Sequence, residues 1–227
     1  MALTLRVVVP PHPLIAHWLT VARDARTPAP LFRTALQELG RWLAYEALRD
    51  WLPHHAMTVT TPLGQTTGHV VDQAVDLAVV PVLRAGLGLW DGAQAVLPHA
   101  RVWHVGLRRG QEAETVQWYY NGLPDAVGQK TGVLVLDPIL ARGATMLAVL
   151  ERLKAMGVEG KRLRVITALC SAPGLQQIGS AFPDLVITTA CIDPELDPAG
   201  FIVPGLGDAG DRLFGTGDRG CFNNDNT

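Results

Sequence analysis

From Asp76 onward the chain alternates short, almost wholly apolar runs with longer amphipathic ones. "DLAVVPVL", "RVWHVGL", "VLVLD", "LRVITALC" and "LVITTAC" are the apolar runs, and "RAGLGLWDGAQAVL", "ATMLAVLERLKAMG" and "GLQQIGSAF" lie between them with helical spacing. A strand that is apolar on both faces must be covered on both, so the pattern predicts an α/β fold with a parallel sheet flanked by helices. Such a sheet binds its ligands outside the carboxyl ends of its strands. In the helix after "VLVLD", Met146, Leu150 and Leu153 share one face, and Gly157 closes it as a C-cap.

The chain before Asp76 reads differently. "LFRTALQELGRWLAYEALRDWL" carries Phe32, Leu36, Leu39, Leu43, Ala47 and Trp51 at helical spacing, with Pro28 and Pro30 ahead of it and Pro53 behind. "MTVTTPLGQTTGHVV" reads as a small hairpin turning at Pro62-Leu63-Gly64. A polar stretch ending in aromatics, "LRRGQEAETVQWYYNGLP", interrupts the later alternation and reads as a hairpin arm over about residues 109–122. With 227 residues, no repeat and no linker, the expectation is one domain over 1–216, with 217–227 a polar, disordered tail.

Composition narrows the function classes. A net charge of −2 gives no basic footprint for nucleic acid, although a few placed arginines could still hold a small anion. The cysteines, Cys170, Cys191 and Cys221, are odd in number and form no CxxC, which argues against a disulfide framework or a zinc site and for a reducing compartment. No apolar run is long enough to span a bilayer, and Arg6 interrupts the N-terminal apolar stretch, so no secretory leader is read there and a cytoplasmic location is expected. The seven histidines lack metal-ligand spacing and read as structural or solvated, with His54-His55 at a helix end. No nucleophile–base pair stands out.

Three stretches carry candidate chemistry. In "VLVLDPILARGAT", Asp137 ends a buried strand, and Ala141 to Thr145 lead into a helix N-terminus, where backbone N–H groups and the helix dipole favour phosphate. It is neither a Walker loop nor a GxGxxG turn, and a plain strand-to-helix turn with a solvated Asp and Arg is the competing reading. In "VLRAGLGLWDG", Arg84 follows a strand with a planar fork suited to diphosphate, and Gly86 and Gly88 would let the backbone approach a ligand; a surface arginine before a helix is the alternative. In "GFIVPGLGDAGDRLFG", glycines surround Asp208 and Asp211, which suggests a loop that wraps a flat ligand or chelates a cation through hard oxygens.

Taken in order, "VVPVLRAGLG", "LVLDPILARGAT" and "GFIVPGLGDAGDRLFGT" resemble the signatures of uracil phosphoribosyltransferases, and the opening "HPLIAHWLTVARDARTPAPLFRTALQELGRWLAYEAL" resembles the family's first helices. The resemblance runs from about residue 8 to 216. It implies a type I phosphoribosyltransferase-like sheet with a small hood built from N- and C-terminal segments. It implies a pentosyltransferase that joins uracil to phosphoribosyl diphosphate with Mg²⁺, giving UMP and diphosphate in pyrimidine salvage, with the metal carried mainly by the diphosphate. By the same resemblance Arg84 and Arg109 hold the diphosphate, and Asp137, Pro138, Ile139, Leu140, Ala141, Arg142, Gly143, Ala144 and Thr145 hold the ribose and its phosphate. Ile202, Gly207, Asp208 and Ala209 read uracil, and Asp208 also reaches the ribosyl diphosphate. Asp137, Arg84, Arg109 and Asp208 are the implied catalytic set. The arm implies a homodimer or larger homo-oligomer, and a purine nucleotide effector is known for some members.

The chain departs from the family pattern at three places. Family loops read DPMLATGG followed by Ser or Thr, whereas this one has Arg142 and Ala144. A Cβ at position 144 would cost about 1–2 kcal/mol if that residue had to be left-handed. Arg142 could bond the phosphate, fill its site or point to solvent. The arm lacks the usual Glu-Thr-Leu-x-Pro-Val run, and Phe201 replaces a tyrosine. These departures motivate an alternative: a non-catalytic or differently specific nucleotide-binding relative.

Overall fold

The computed structural model of the protein describes residues 5–72, 76–109 (Arg109 through its backbone only) and 115–216. The expected tail at 217–227, Cys221 within it, and the tip of the arm lie outside the described residues.

The elements in chain order are β1 (Arg6–Val8), α1 (Pro13–Arg23), α2 (Ala29–Leu48), β2 (His54–Thr61), β3 (Gly64–Val71), β4 (Leu77–Leu83), α3 (Gly86–Ala93), β5 (Arg101–Val102) and β6 (Val105–Arg109). They continue with β7 (Val116–Asn121), β8 (Gly132–Leu136), β9 (Ile139–Leu140), α4 (Ala144–Ala155), β10 (Leu163–Ser171), α5 (Ala172–Ala181), β11 (Val186–Asp193), β12 (Glu195–Leu196), β13 (Ile202–Val203) and α6 (Ala209–Phe214). The main sheet runs β1-β11-β10-β8-β4-β6-β7, with β5 beside β4 and β9 beside β10. Every pairing in it is parallel except β6 with β7, which forms the expected arm. Strands β8 and β10 are buried at every residue, which is why they read as unbroken apolar runs.

Two cores cover the two faces. Phe32, Leu36, Leu39 and Leu43 of α2 are fully buried with Leu89 of α3 on one face, while Met146, Val149, Leu150 and Leu153 of α4 pack with Ile178 of α5 on the other. A ribbon of β2 and β3 stands outside the main sheet, and His54 and His55 open β2 there. The sequence placed these histidines at a helix end; α2 instead stops at Leu48, and a turn intervenes. The three-residue β1, which the sequence reading did not anticipate, adds an edge by pairing with β11.

The topology also marks a ligand site. From β4 the chain crosses α3 to β6 on one side; from β8 it crosses α4 to β10 on the other. The strand order therefore reverses between neighbouring β4 and β8, and a crevice opens where such crossovers diverge. Arg84 follows the carboxyl end of β4 and Asp137 that of β8. Among the described residues no helix is long and apolar enough to cross a membrane.

Candidate active site

The cradle is built from contiguous chain. After β8 the backbone kinks at Asp137-Pro138, resumes as β9 beside β10, and enters α4 through Gly143. Gly143 has φ +90°, and a Cβ there would stand 3.1 Å from the Gln177 side-chain oxygen, so the turn admits only glycine comfortably. No side chain caps α4, which leaves its first-turn amides available to an anion. From behind, the Ser171 hydroxyl donates to the Ala141 carbonyl at 2.6 Å and accepts from Gly174 N at 2.9 Å, fixing the loop to the start of α5. The Pro138 carbonyl faces away from the crevice, accepting from Ala168 N, Leu169 N and the Thr167 hydroxyl.

Ala144 begins α4, and among the described residues none other than glycine has a positive φ. The left-handed strain considered at position 144 therefore does not arise; the turn concentrates it in Gly143. Arg142 is exposed and reaches across the rim, donating to the Pro198 carbonyl at 3.3 Å with its guanidinium against Gly200. It does not occupy the helix N-terminus. Asp137 lies half-buried on the floor. Desolvation pushes its carboxyl up to about 7, against the opposing hydrogen bond from Ile139 N at 3.4 Å.

The opposite wall comes from the C-terminal segment. The short β12–β13 ribbon ends in a cis Val203–Pro204 bond, then turns through Gly205 (φ +59°) and Gly207 (φ +75°) into α6. Ile202, Leu206 and Gly207 to Gly210 line the same cavity as Asp137, Ile139 to Met146, Gly200 and Phe201. Thr115 and Val116 of the arm line it too, a contribution that the sequence reading did not assign.

Two sequence readings need correction. Gly86 and Gly88 do not open backbone to a ligand. A Cβ on Gly86 would stand 2.5 Å from the Leu136 carbonyl, and one on Gly88 would meet Leu36 and Leu213, so both serve packing. Asp208 and Asp211 do not form a cation chelate. Asp208 caps α6, accepting from Asp211 N at 2.9 Å, while Asp211 accepts from Arg84 at 2.9 Å and from the Thr216 hydroxyl at 2.7 Å. The Thr216 and Arg84 hydrogen bonds hold the Asp211 carboxyl below its ordinary value. Among the described residues no group of three or more His, Cys, Asp or Glu could hold a metal ion.

Arg84 thus stands at the rim beside Gly210 with Asp211 as its partner, and Phe214 lies under its guanidinium. The Arg109 backbone ends β6, and its side chain lies outside the described residues. Sequence reasoning missed Arg23 and Asp193, which hold the Gly205 turn from below by a bidentate pair at 2.8 and 2.7 Å. Only residues distant in sequence make that contact, so no local signal marked it.

A parallel sheet whose reversal point is flanked by an anion-binding helix turn and a glycine-rich wall is the architecture of an α/β transferase or nucleotide-binding protein. Comparison with known proteins sharpens this. The uracil phosphoribosyltransferase family profile matches residues 9–216. The chain is 54% identical over 216 residues to the uracil phosphoribosyltransferase of Synechococcus elongatus, covering 95% of this chain and all of the relative. It is 45% identical to that of Nicotiana tabacum over 210 residues, 92% of this chain and 94% of the relative. The AQ2163 protein of Aquifex aeolicus superposes with a TM-score of 0.82 at 35% identity, over 92% of this chain and 98% of that one. The chain belongs to the uracil phosphoribosyltransferase family.

Proposed function

We propose that the protein transfers the phosphoribosyl group of phosphoribosyl diphosphate to uracil, forming UMP and diphosphate. The observation that carries this reading is the meeting of the 137–145 cradle and the Ile202–Ala209 turn over one cavity at the β4/β8 reversal. The ribose phosphate sits at the N-terminus of α4, where Ala141 to Thr145 supply backbone donors. Asp137 below accepts from the ribose hydroxyls. Ile202, Gly207 and Ala209 present main-chain groups to the edge of uracil, and Asp208 faces the ribosyl diphosphate. Arg84 and Arg109 take the diphosphate, whose charge displaces Asp211 from Arg84.

Uracil N1 bonds to C1′ as the C1′–O bond to diphosphate breaks, and the N1 proton is released. Positive charge develops on the ribosyl ring and negative charge on the leaving group, so preorganised charge supplies most of the acceleration and no protein nucleophile is required. The metal would be held mainly by the oxygens of phosphoribosyl diphosphate, with Asp137 in the lining of the same cavity. Carried that way, Mg²⁺ would supply positive charge to the departing diphosphate.

The loop gives the non-catalytic alternative less support, because Ala144 is a helix residue without left-handed strain and the Arg142 guanidinium turns to the Pro198 carbonyl. The arm, with Tyr119 and Tyr120 about half exposed, is the surface for a second copy of the chain, giving a homo-oligomer. The test is UMP formation from uracil and phosphoribosyl diphosphate with Mg²⁺: turnover is expected, and its absence alongside retained binding of UMP would reinstate the alternative.

A further inference from the structure

We propose that Arg23 and Asp193 are positioning residues for the base-binding turn, and that they set affinity for the nucleobase separately from affinity for the phosphoribosyl donor. The inference rests on the reading of Ile202–Ala209 as the uracil wall. Arg23 ends α1 and Asp193 ends β11, so the pair joins elements 170 residues apart. Their side chains are 23% and 6% exposed, which leaves each charge dependent on the other.

A pair that merely fastened α1 to the sheet would have no need of the turn. This pair grips both backbone polar groups of one residue, Gly205, and so the two peptides that flank it. Asp193 Oδ2 accepts from Gly205 N at 2.9 Å, and Arg23 Nη1 donates to the Gly205 carbonyl at 3.0 Å. Gly205 is the left-handed residue between Ile202 and Gly207, and a Cβ on it would stand 2.0 Å from the Ile202 carbonyl. Its backbone therefore fixes where the flanking wall residues present their amides and carbonyls. The next peptide is held from the same side: Arg212 donates to the Leu206 carbonyl at 2.8 Å and to the Asp24 carbonyl, just past α1, at 2.7 Å. The Cys191 thiol adds a contact to Asp193 Oδ1 at 3.6 Å. Burial alone would raise the Asp193 carboxyl, but Arg23 and the Gly205 amide outweigh it and keep the group ionised below its ordinary value. Arg23, Asp193, Arg212 and Cys191 are not among the residues that line the cavity; each reaches it through the turn. The cradle is anchored separately, through Ser171 and Gly174.

The experiment is steady-state kinetics of UMP synthesis on the full chain, varying uracil and phosphoribosyl diphosphate in turn, for the parent protein, Asp193→Asn, Arg23→Gln and the double variant. Each single change removes a charge-assisted contact, so the KM for uracil is expected to rise on the order of tenfold or more. The KM for phosphoribosyl diphosphate should move less than about twofold, and the double variant should cost little more than either single one. Equal rises in both KM values, or no rise for uracil in a folded variant, would overturn the proposal. If Asp193→Asn fails to fold, Arg23→Gln decides, since it keeps the acceptor of the Gly205 amide. Parent protein that makes no UMP would instead refute the proposed activity, and the same variants would then be compared by calorimetric binding of uracil and of phosphoribosyl diphosphate.

Discussion

The two walls of the cavity are made in opposite ways. The cradle wall is one continuous run, strand to turn to helix, whose shape follows from a buried strand, one left-handed glycine and an uncapped helix start. The base wall is a turn given its shape by side chains outside it: Arg23 from α1, 182 residues away, Asp193 from the end of β11, and Arg212 from α6. A locally encoded wall tolerates side-chain exchange if its backbone is kept, as Arg142 and Ala144 illustrate. A wall held from afar is sensitive to residues that never meet the ligand.

Changes among the groups that face phosphoribosyl diphosphate should weaken the chemistry without weakening the fold. Arg84→Ala removes an exposed ion pair worth little to the fold and a partner of the leaving group, so kcat/KM for UMP synthesis should fall on the order of 10²–10³ while the melting temperature hardly moves. Asp137→Asn should lower kcat/KM on the order of 10² yet stabilise the free protein. Its folded pKa is raised from 3.8 to about 7, so below about pH 4 both states are protonated and the group is neutral to stability. As pH climbs through that interval the unfolded chain ionises first, and stability is lost. Near pH 8 the Asn variant should therefore gain about 2–4 kcal/mol in denaturant melts, a gain that vanishes below about pH 4. A stability loss in this variant at pH 8 would break the contrast.

The base side should respond in reverse. Gly205→Ala forces a Cβ against the Ile202 carbonyl at a left-handed residue, and should cost about 2–4 kcal/mol in thermal unfolding while raising the uracil KM. The smallest effect expected is that of Ala144→Gly, which restores the family's residue. It should destabilise the start of α4 by about 0.5–1 kcal/mol without increasing turnover, since no strain at 144 is there to relieve.

The cradle was legible because its determinants are adjacent. The unbroken apolar run of β8, Asp137 at its end and Gly143 before an amphipathic helix lie within a few residues of one another. The glycine-rich segment was legible as a site but not as a conformation. It read as a wrap for a flat ligand or as a chelate; the chelate fails, since α6 takes Asp208 as its cap and Arg84 claims Asp211. Gly86 and Gly88 invited a ligand reading because sequence alone does not tell whether the atom that a glycine makes room for belongs to a ligand, a carbonyl or a leucine.

By itself the sequence determined the α/β class, the parallel sheet and the segments that carry the cavity, because periodicity, apolar runs and turn chemistry act over short stretches of chain; the finer set of site residues came from the family resemblance. Only the tertiary structure decided which strand ends lie side by side, that Ala144 is unstrained, that Arg142 spans the rim to Pro198, and that Arg23 and Asp193 grip Gly205. Those outcomes depend on pairing buried charges and backbone groups with whatever partners folding brings near, and such partners carry no fixed separation along the chain.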